Sequence, residues 1–495
     1  MKFIPQPQSV EFIGNNTLKI TSISLGDNLL SRNAVNDFLS FLSLPQKEQN
    51  VFFTMDDTLD EEEYILSVNE NGIHIHASSQ AGQLYALQTL KQMIFQSDGD
   101  IPFVLIKDKP KYKFRGFMLD VGRYFFSVDD VKKIINRMVI HKLNVLHFHL
   151  TEDQGWRIEI KKYPRLTQYG SIRKKTNFNN KPHRGFYTQD EIKEIVDYAH
   201  SFCIKVMPEF DIPGHSRAAI ACYNDLACFP RELPVADHWG VKHDVLCVGK
   251  DKTIQFVKDV LDEFFELFPD EYIHIGGDEV PKHRWDLCPN CQKRIKELGL
   301  KDSEHLQCWF MNLIKDYCKI NGKQVFMWSW DLKDAAYLDT DLGFTKCGEM
   351  ETGDRTFIDT STKAYYIDLP YGYIRLKDSA DHKVFSGNCL GVEGTLWTEY
   401  VPDMKKADLM SFPRTACISQ TGWYGDCSWE FIDANLDFYY SYLDKNNIKY
   451  SKIGTANPNK IKGALEALWF ERRQLTWEGL ANMIDDKKIE KFAKK

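Results

Sequence analysis

Apolar and polar side chains alternate through "EYILSVNENGIHIHAS", residues 63–78. This period of two predicts a pair of half-buried strands joined by a hairpin turn at "NENG". The stretch "AGQLYALQTLKQMIF" that follows has the spacing of a helix. Strands followed by a helix make residues 1–110 a small α+β domain, and the polar, proline-bearing segment "SDGDIPFVLIKDKPKYKF" marks its end near residue 110.

Beyond that point short apolar runs alternate with amphipathic helices. "RGFMLDV" precedes a helix opened by Ser127, with Asp130 three places on, and "NVLHFHL" follows. Thr188 and Glu191 have the spacing of a capping box ahead of "IKEIVDYAHSF". "IKVMPEFD", "YIHIGGDE", "QVFMWSW", "KAYYID" and "GVEGTLWTE" read as further strands, interleaved with helices such as "IQFVKDVLDEFFELF" and "HLQCWFMNLIKDYCKI". About eight strands over roughly 300 residues predict a closed (β/α)8 barrel across residues 111–445, with an open parallel sheet as the alternative. Residues 446–495, including "IKGALEALWFERRQLTWEGLANMI", are helical by period.

Composition narrows the class of function. With 43% hydrophobic residues and a formal charge of -7 in 495 residues, the chain reads as an ordinary globular protein. The acidic excess argues against a nucleic-acid partner, and no apolar run is long enough to imply a membrane span. "MKFIPQPQSVEF" lacks the apolar core of a secretory leader, and the 12 cysteines are irregularly spaced, so a reducing, cytoplasmic location is expected. Oligomeric state is not legible.

In a barrel of this kind the chemistry sits where the strands end. Strand one carries Arg115 and ends at Asp120 and Arg123; strand two ends with His147, His149, Glu152 and Asp153; strand three with Glu209, Asp211 and His215. "HIGGDEV" offers two adjacent acids, Asp278 and Glu279, and the last strand offers Trp397 and Glu399. Each taken alone is as readily a structural group. Trp309, Trp328 and Trp397 suit either a core or a wall against the apolar face of a sugar. A metal centre is not expected: the strand-end acids are adjacent rather than opposed, and "CPNC", Cys288 to Cys291, has no second pair at a zinc-knuckle spacing.

Together "RGFMLDV", "NVLHFHLTEDQGWRIEIKKYPRL", "PEFDIPGHS", "HIGGDEV" and "GTLWTE" resemble, in this order, the family 20 glycoside hydrolases, the β-N-acetylhexosaminidases. The resemblance runs from "IPQPQSVEF" to about residue 445. It implies a (β/α)8 barrel, no cofactor or metal, and exo-acting, retaining release of β-linked N-acetylglucosamine or N-acetylgalactosamine from oligosaccharides or glycoconjugates. It also implies a substrate-assisted course, in which the sugar's 2-acetamido oxygen attacks C1 and forms an oxazolinium ion. Glu279 then corresponds to the general acid/base, Asp278 to the acceptor of the acetamido N–H, and Tyr366 to the holder of the acetamido oxygen. His215 corresponds to a histidine near the acid/base, supported by Glu152 or Asp153, where the family commonly has two aspartates. Arg115, Asp368 and Glu399 correspond to residues that hold sugar hydroxyls. Trp328, Trp397 and Trp309 correspond to pocket walls, with Trp330 competing with Trp328. A non-catalytic glycan-binding barrel, or a relative releasing a disaccharide or sulfated sugar, is the alternative.

Overall fold

The computed structural model describes residues 1–47, 49–176, 180–474, 486, 487, 489 and 490. The strands β1 (Ser9–Lys19), β2 (Val51–Met55), β3 (Tyr64–Asn69), β4 (Gly72–Ala77) and β5 (Asp100–Asp108) form one sheet in the order β1-β5-β3-β4-β2. The expected hairpin is present, with Asn69 opposite Gly72. The helix Gln80–Gln96 is capped by the Ser79 hydroxyl, which accepts from Gly82 N–H. It is buried from Ala81 to Ile94 because both its faces are used: Leu87 and Leu90 pack on the sheet, while Leu84 joins the barrel core.

Eight parallel strands close the barrel: β6 (Phe114–Asp120), β7 (Val145–His149), β8 (Lys205–Glu209), β9 (Tyr272–His274), β10 (Gln324–Trp328), β11 (Gly343–Lys346), β12 (Phe357–Asp359) and β13 (Cys389–Leu396). β13 returns to β6, with Gly394 beside Phe117, so no open edge remains. The expected caps form: Ser127 accepts from Asp130 N–H, and Thr188 with Glu191 makes a full capping box. "KAYYID" is not a strand. The short runs β11 and β12 supply the sixth and seventh staves, and Tyr366 sits in the loop after β12, bridged singly to Thr395.

Inside the barrel, side chains stack in layers. Phe114, Val145, Met207, Tyr272, Phe326 and Ile358 plug one end. Met118, Trp328 and Cys347 form an apolar cluster toward the other end, with Tyr366 and Trp397 against it. A charged layer completes the interior: Glu209 lies 2.5 Å from His149 Nδ1, 3.1 Å from His147 Nε2 and 3.1 Å from His274 Nδ1, while Glu393 lies 3.1 Å from His147 Nδ1.

Strand alternation overturns the expected role of Arg115 as a sugar ligand. Its neighbour Phe114 points inward, so Arg115 points out of the barrel and toward the N-terminal sheet. There it makes a two-pronged pair with Glu62, at 2.6 and 3.0 Å, and donates to Tyr85 Oη and Lys142 O. It is a clamp between the two parts of the chain. Replacing Arg115 by Ala strands Glu62 at that junction and is expected to cost about 3 kcal/mol. Denaturant unfolding should show that loss while KM for a small substrate stays unchanged; a raised KM with unchanged stability would return Arg115 to the site.

The helix Lys460–Gln474 falls in the expected helical C-terminal segment. Residues 475–485 of that segment lie outside the described residues. No helix among the described residues is long and apolar enough to cross a membrane.

Candidate active site

A pocket of about 290 Å³ opens at the carboxyl ends of the barrel strands. Its lining brings together Asp278, Glu279, His215, Tyr366, Trp328, Trp397, Asp368 and Glu399 from the expected set. Arg123, Trp330, Tyr400 and Phe470 complete much of the wall. Trp309 is not among them: it lies on the helix Ser303–Ile320, half-buried against the core, with the Arg294 guanidinium 5.3 Å from its ring. Helical spacing, not proximity to a strand end, sets that direction, so Trp309 is not the sugar wall expected of it.

Two adjacent acids share this pocket because the strand has already ended. β9 stops at His274, and Gly276 and Gly277 follow with φ of 65° and 100°. A Cβ on Gly276 would lie 1.7 Å from Asp211 Oδ1, so this turn is open to glycine alone. Glu279 itself has φ 48°, a left-handed conformation that costs a residue with a side chain about 1–2 kcal/mol. The strict alternation of strand neighbours is lost, and both carboxylates approach one nitrogen: His215 Nε2 is 3.6 Å from Glu279 Oε2 and 3.8 Å from Asp278 Oδ2. Both also line the pocket.

His215 is held from behind. Its Nδ1 is 2.9 Å from Glu152 Oε1 and 3.7 Å from Asp153 Oδ2, so Glu152 is the supporting carboxylate. Asp153 instead accepts Arg217 N–H and fixes the start of the next helix. Burial works against charge on Glu152, but Arg123 and His215 outweigh it and hold the carboxyl well below its usual range. Burial likewise works against a charged His215, yet Glu152 and Asp211 push its imidazole well above the ordinary value. The carboxylates around His215 thus favour a proton on its imidazole, which faces the acid pair. Asp278 is pushed up to about 7, first by burial and then by Glu279 and Glu209, with His215 pulling the other way.

Five side-chain polar atoms of residues lining the pocket lack a hydrogen-bond partner: Arg123 Nε, His215 Nε2, Asp278 Oδ1, Asp368 Oδ1 and Trp397 Nε1. Buried polar atoms are rarely left so. The Trp328 and Trp397 rings lie 5.2 Å apart, and Trp328 Nε1 donates to Glu209 at 2.6 Å, tying the wall to the charged layer. Tyr366 Oη lies 3.5 Å from Cys347 Sγ.

Arg123 takes the place expected of Arg115. Asp120 Oδ1 accepts the N–H of Gly122 and of Arg123, which turns the chain back at the end of β6 and aims the guanidinium inward. The guanidinium lies 3.1 Å from Glu152, 3.8 Å from Glu399 and 4.9 Å from the Trp397 ring. Burial raises Glu399, and burial followed by Glu399 raises Asp368 further. Phe470 was not foreseen at all. It reaches the pocket from the C-terminal helix and packs edge-on against Tyr400 at 5.1 Å.

The charged layer below predicts a pH dependence of stability. Burial opposes charge on His147, but Glu393 and Glu209 prevail and raise it to about 9. A group raised in the folded state stabilises fully below its unfolded value, about 6.5, and that contribution disappears as pH rises through about 9. The melting temperature should fall across that window, and the deficit of His147→Gln relative to the parent should shrink as pH approaches 9. A deficit that stays constant from pH 6 to 9.5 would show that His147 carries no charge in the fold.

Fold and pocket define the class first: a closed (β/α)8 barrel with an acid pair, a buried histidine and tryptophan walls at its strand ends. The sequence places it further. The family model "Glycosyl hydrolase family 20, catalytic domain" matches residues 112–373 and 332–426, and "Glycosyl hydrolase family 20, domain 2" matches residues 1–109. The chain belongs to glycosyl hydrolase family 20. It is 39% identical over 430 residues to a beta-hexosaminidase of Porphyromonas gingivalis, a match that covers 79% of this chain and 55% of that protein. The chain thus spans only about half the length of that relative. The crystal structure of a beta-N-acetylhexosaminidase from Bacteroides fragilis superposes with a TM-score of 0.78 at 30% identity, covering 91% of this chain and 97% of the other. A mutant Streptomyces plicatus beta-hexosaminidase in complex with its product GlcNAc superposes with a TM-score of 0.77 at 29% identity, covering 92% and 97%.

Proposed function

We propose that the protein is an exo-acting, retaining β-N-acetylhexosaminidase that uses the substrate's own acetamido group as nucleophile. One observation carries the reading: Asp278 and Glu279, neighbours in sequence, both line the pocket and both lie within 4 Å of His215 Nε2. A retaining glycosidase with an enzyme nucleophile needs two carboxyls facing each other across the scissile bond, whereas these two sequence neighbours both turn to the same histidine. GlcNAc as the product bound by the Streptomyces plicatus relative supports the sugar class.

In this reading a terminal N-acetylhexosamine stacks against Trp328 and Trp397, with Arg123, Asp368 and Glu399 on its hydroxyls. Asp278 Oδ1, without a partner in the protein, accepts the acetamido N–H and offsets the positive charge that grows on the ring. Tyr366 Oη donates to the acetamido oxygen as that oxygen bonds to C1. Glu279 gives its proton to the departing glycosidic oxygen. The C1–O bond breaks, and an oxazolinium ion forms. Glu279, now a carboxylate, takes a proton from water as that water attacks C1 from the face the leaving group vacated, which restores the acid and the acetamide. The His215 cation, anchored by Glu152, keeps Glu279 aimed through both steps.

Two displacements at C1 retain configuration. Proton NMR of the first turnovers on an aryl N-acetyl-β-glucosaminide should show the β-anomer before mutarotation; the α-anomer first would rule out the double displacement.

A further inference from the structure

The pair Cys288 and Cys291, with no second pair at zinc-knuckle spacing in the sequence, has two partners in the fold. Cys228 and Cys247 come from the long loop after β8, and the four Sγ atoms all lie within 4.8 Å of one another. The approaches Cys247–Cys288, Cys247–Cys291 and Cys228–Cys291 are 3.6, 3.6 and 3.8 Å. Four thiolates bound tetrahedrally at about 2.3 Å from a zinc ion stand about 3.8 Å apart along each edge. Disulfide sulfurs would stand about 2.05 Å apart. We propose that Cys228, Cys247, Cys288 and Cys291 form a structural zinc site that staples the loop carrying His215 to the loop carrying Asp278 and Glu279.

The surroundings are built for such a cage. All four cysteines are buried, and Ala227 pairs with Leu246 as a two-stranded bridge that sets Cys228 beside Cys247. Cys247 N–H donates to Leu226 O at 2.8 Å. Gly249, two residues on from Cys247, packs flat on the Asn290–Cys291 peptide, where a Cβ would meet Cys291 N at 2.4 Å. Cys288 precedes the helix Pro289–Glu297 and Cys291 lies in its first turn, so the pair has the C-x-x-C geometry of a zinc knuckle. Trp285 Nε1 donates to Leu246 O at 2.9 Å, a second tie between the two loops.

Four buried thiols in mutual contact gain little by packing alone, whereas four thiolate ligands supply folding free energy through the metal. The placement gives that energy a use. The chain leaves β8 through Asp211 and His215 before reaching Cys228, and leaves β9 through Asp278 and Glu279 before reaching Cys288. Fixing the far ends of both loops fixes the 3.6 Å approach of His215 to Glu279. These cysteines are positioning residues, not catalytic ones.

The test is elemental analysis of the full chain purified without chelator, followed by cobalt exchange. We expect about one zinc per chain, and a cobalt form with the intense visible bands of a tetrahedral thiolate site. Cys291→Ser should lose the metal and melt earlier, and Cys291→His, which keeps a zinc ligand, should recover both. Cys318→Ser, a buried cysteine outside the cluster, should keep its zinc. In Cys291→Ser, kcat should fall more than KM rises. Metal at background level, stoichiometric iron, or two disulfides found by mass spectrometry would overturn the proposal, and all three can be read on the unsubstituted chain if a variant fails to fold.

Discussion

Glu279→Gln is expected to lower kcat/KM on a natural, poor-leaving-group glycan by about a thousandfold, or about 4 kcal/mol of barrier. The substitution keeps size and hydrogen bonding but leaves no proton to give the departing oxygen and no base for the water. The loss should therefore depend on the aglycone. A nitrophenyl leaving group departs without help, so its first step is spared and only the hydrolysis of the oxazolinium ion is slowed. Stability should hardly change, since Glu279 is the more exposed of the two acids, with 35% of its side chain accessible against 13% for Asp278. Equal losses on activated and unactivated substrates would remove Glu279 from the proton-transfer role.

Asp278→Asn is expected to reduce kcat by about 100- to 1,000-fold, the usual worth of one preorganised group facing developing charge. Its stability effect should have the opposite sign. Asp278 is raised to about 7 in the fold from an ordinary 3.8, so the native state holds its proton more tightly than the unfolded chain. The penalty is absent below about 3.8, grows through the interval and is complete above about 7. Asn carries no such penalty, so at pH 8 the variant should melt higher than the parent while turning over far more slowly. A variant that is less stable at pH 8 would mean that the His215 cation, not burial, dominates at Asp278. Stability given up for a charge held ready is the expected signature of a catalytic group.

Much of the fold and of this site could be read along the chain because the signals are local. The Thr188–Glu191 box, the Ser127 cap and the acids behind Gly276 and Gly277 each depend on a few consecutive residues. The errors share a cause: they needed a direction or a distant partner. Arg115 and Arg123 lie on one strand-and-turn unit, and only the inward placement of Phe114 shows that Arg115 must point away. Trp309 lies near acids in sequence, but its helix aims it at Arg294. β11 and β12, four and three residues long, are too short to show a period, so the more conspicuous "KAYYID" drew the assignment instead. Phe470 and the cysteine cluster are joined to their partners only by tertiary structure: Cys228 and Cys291 are 63 positions apart, beyond any spacing rule for a zinc knuckle.

The most direct test of the central claim is the rate of hydrolysis of matched aryl β-glycosides with and without the 2-acetamido group. The proposed mechanism has Asp278 and Tyr366 serve that group and takes its nucleophile from the substrate, so only the N-acetyl members should turn over, and removing the acetamido group should abolish measurable kcat. Comparable turnover of an aryl β-glucoside bearing a plain 2-hydroxyl would contradict the account, because its nucleophile would then have to come from the protein.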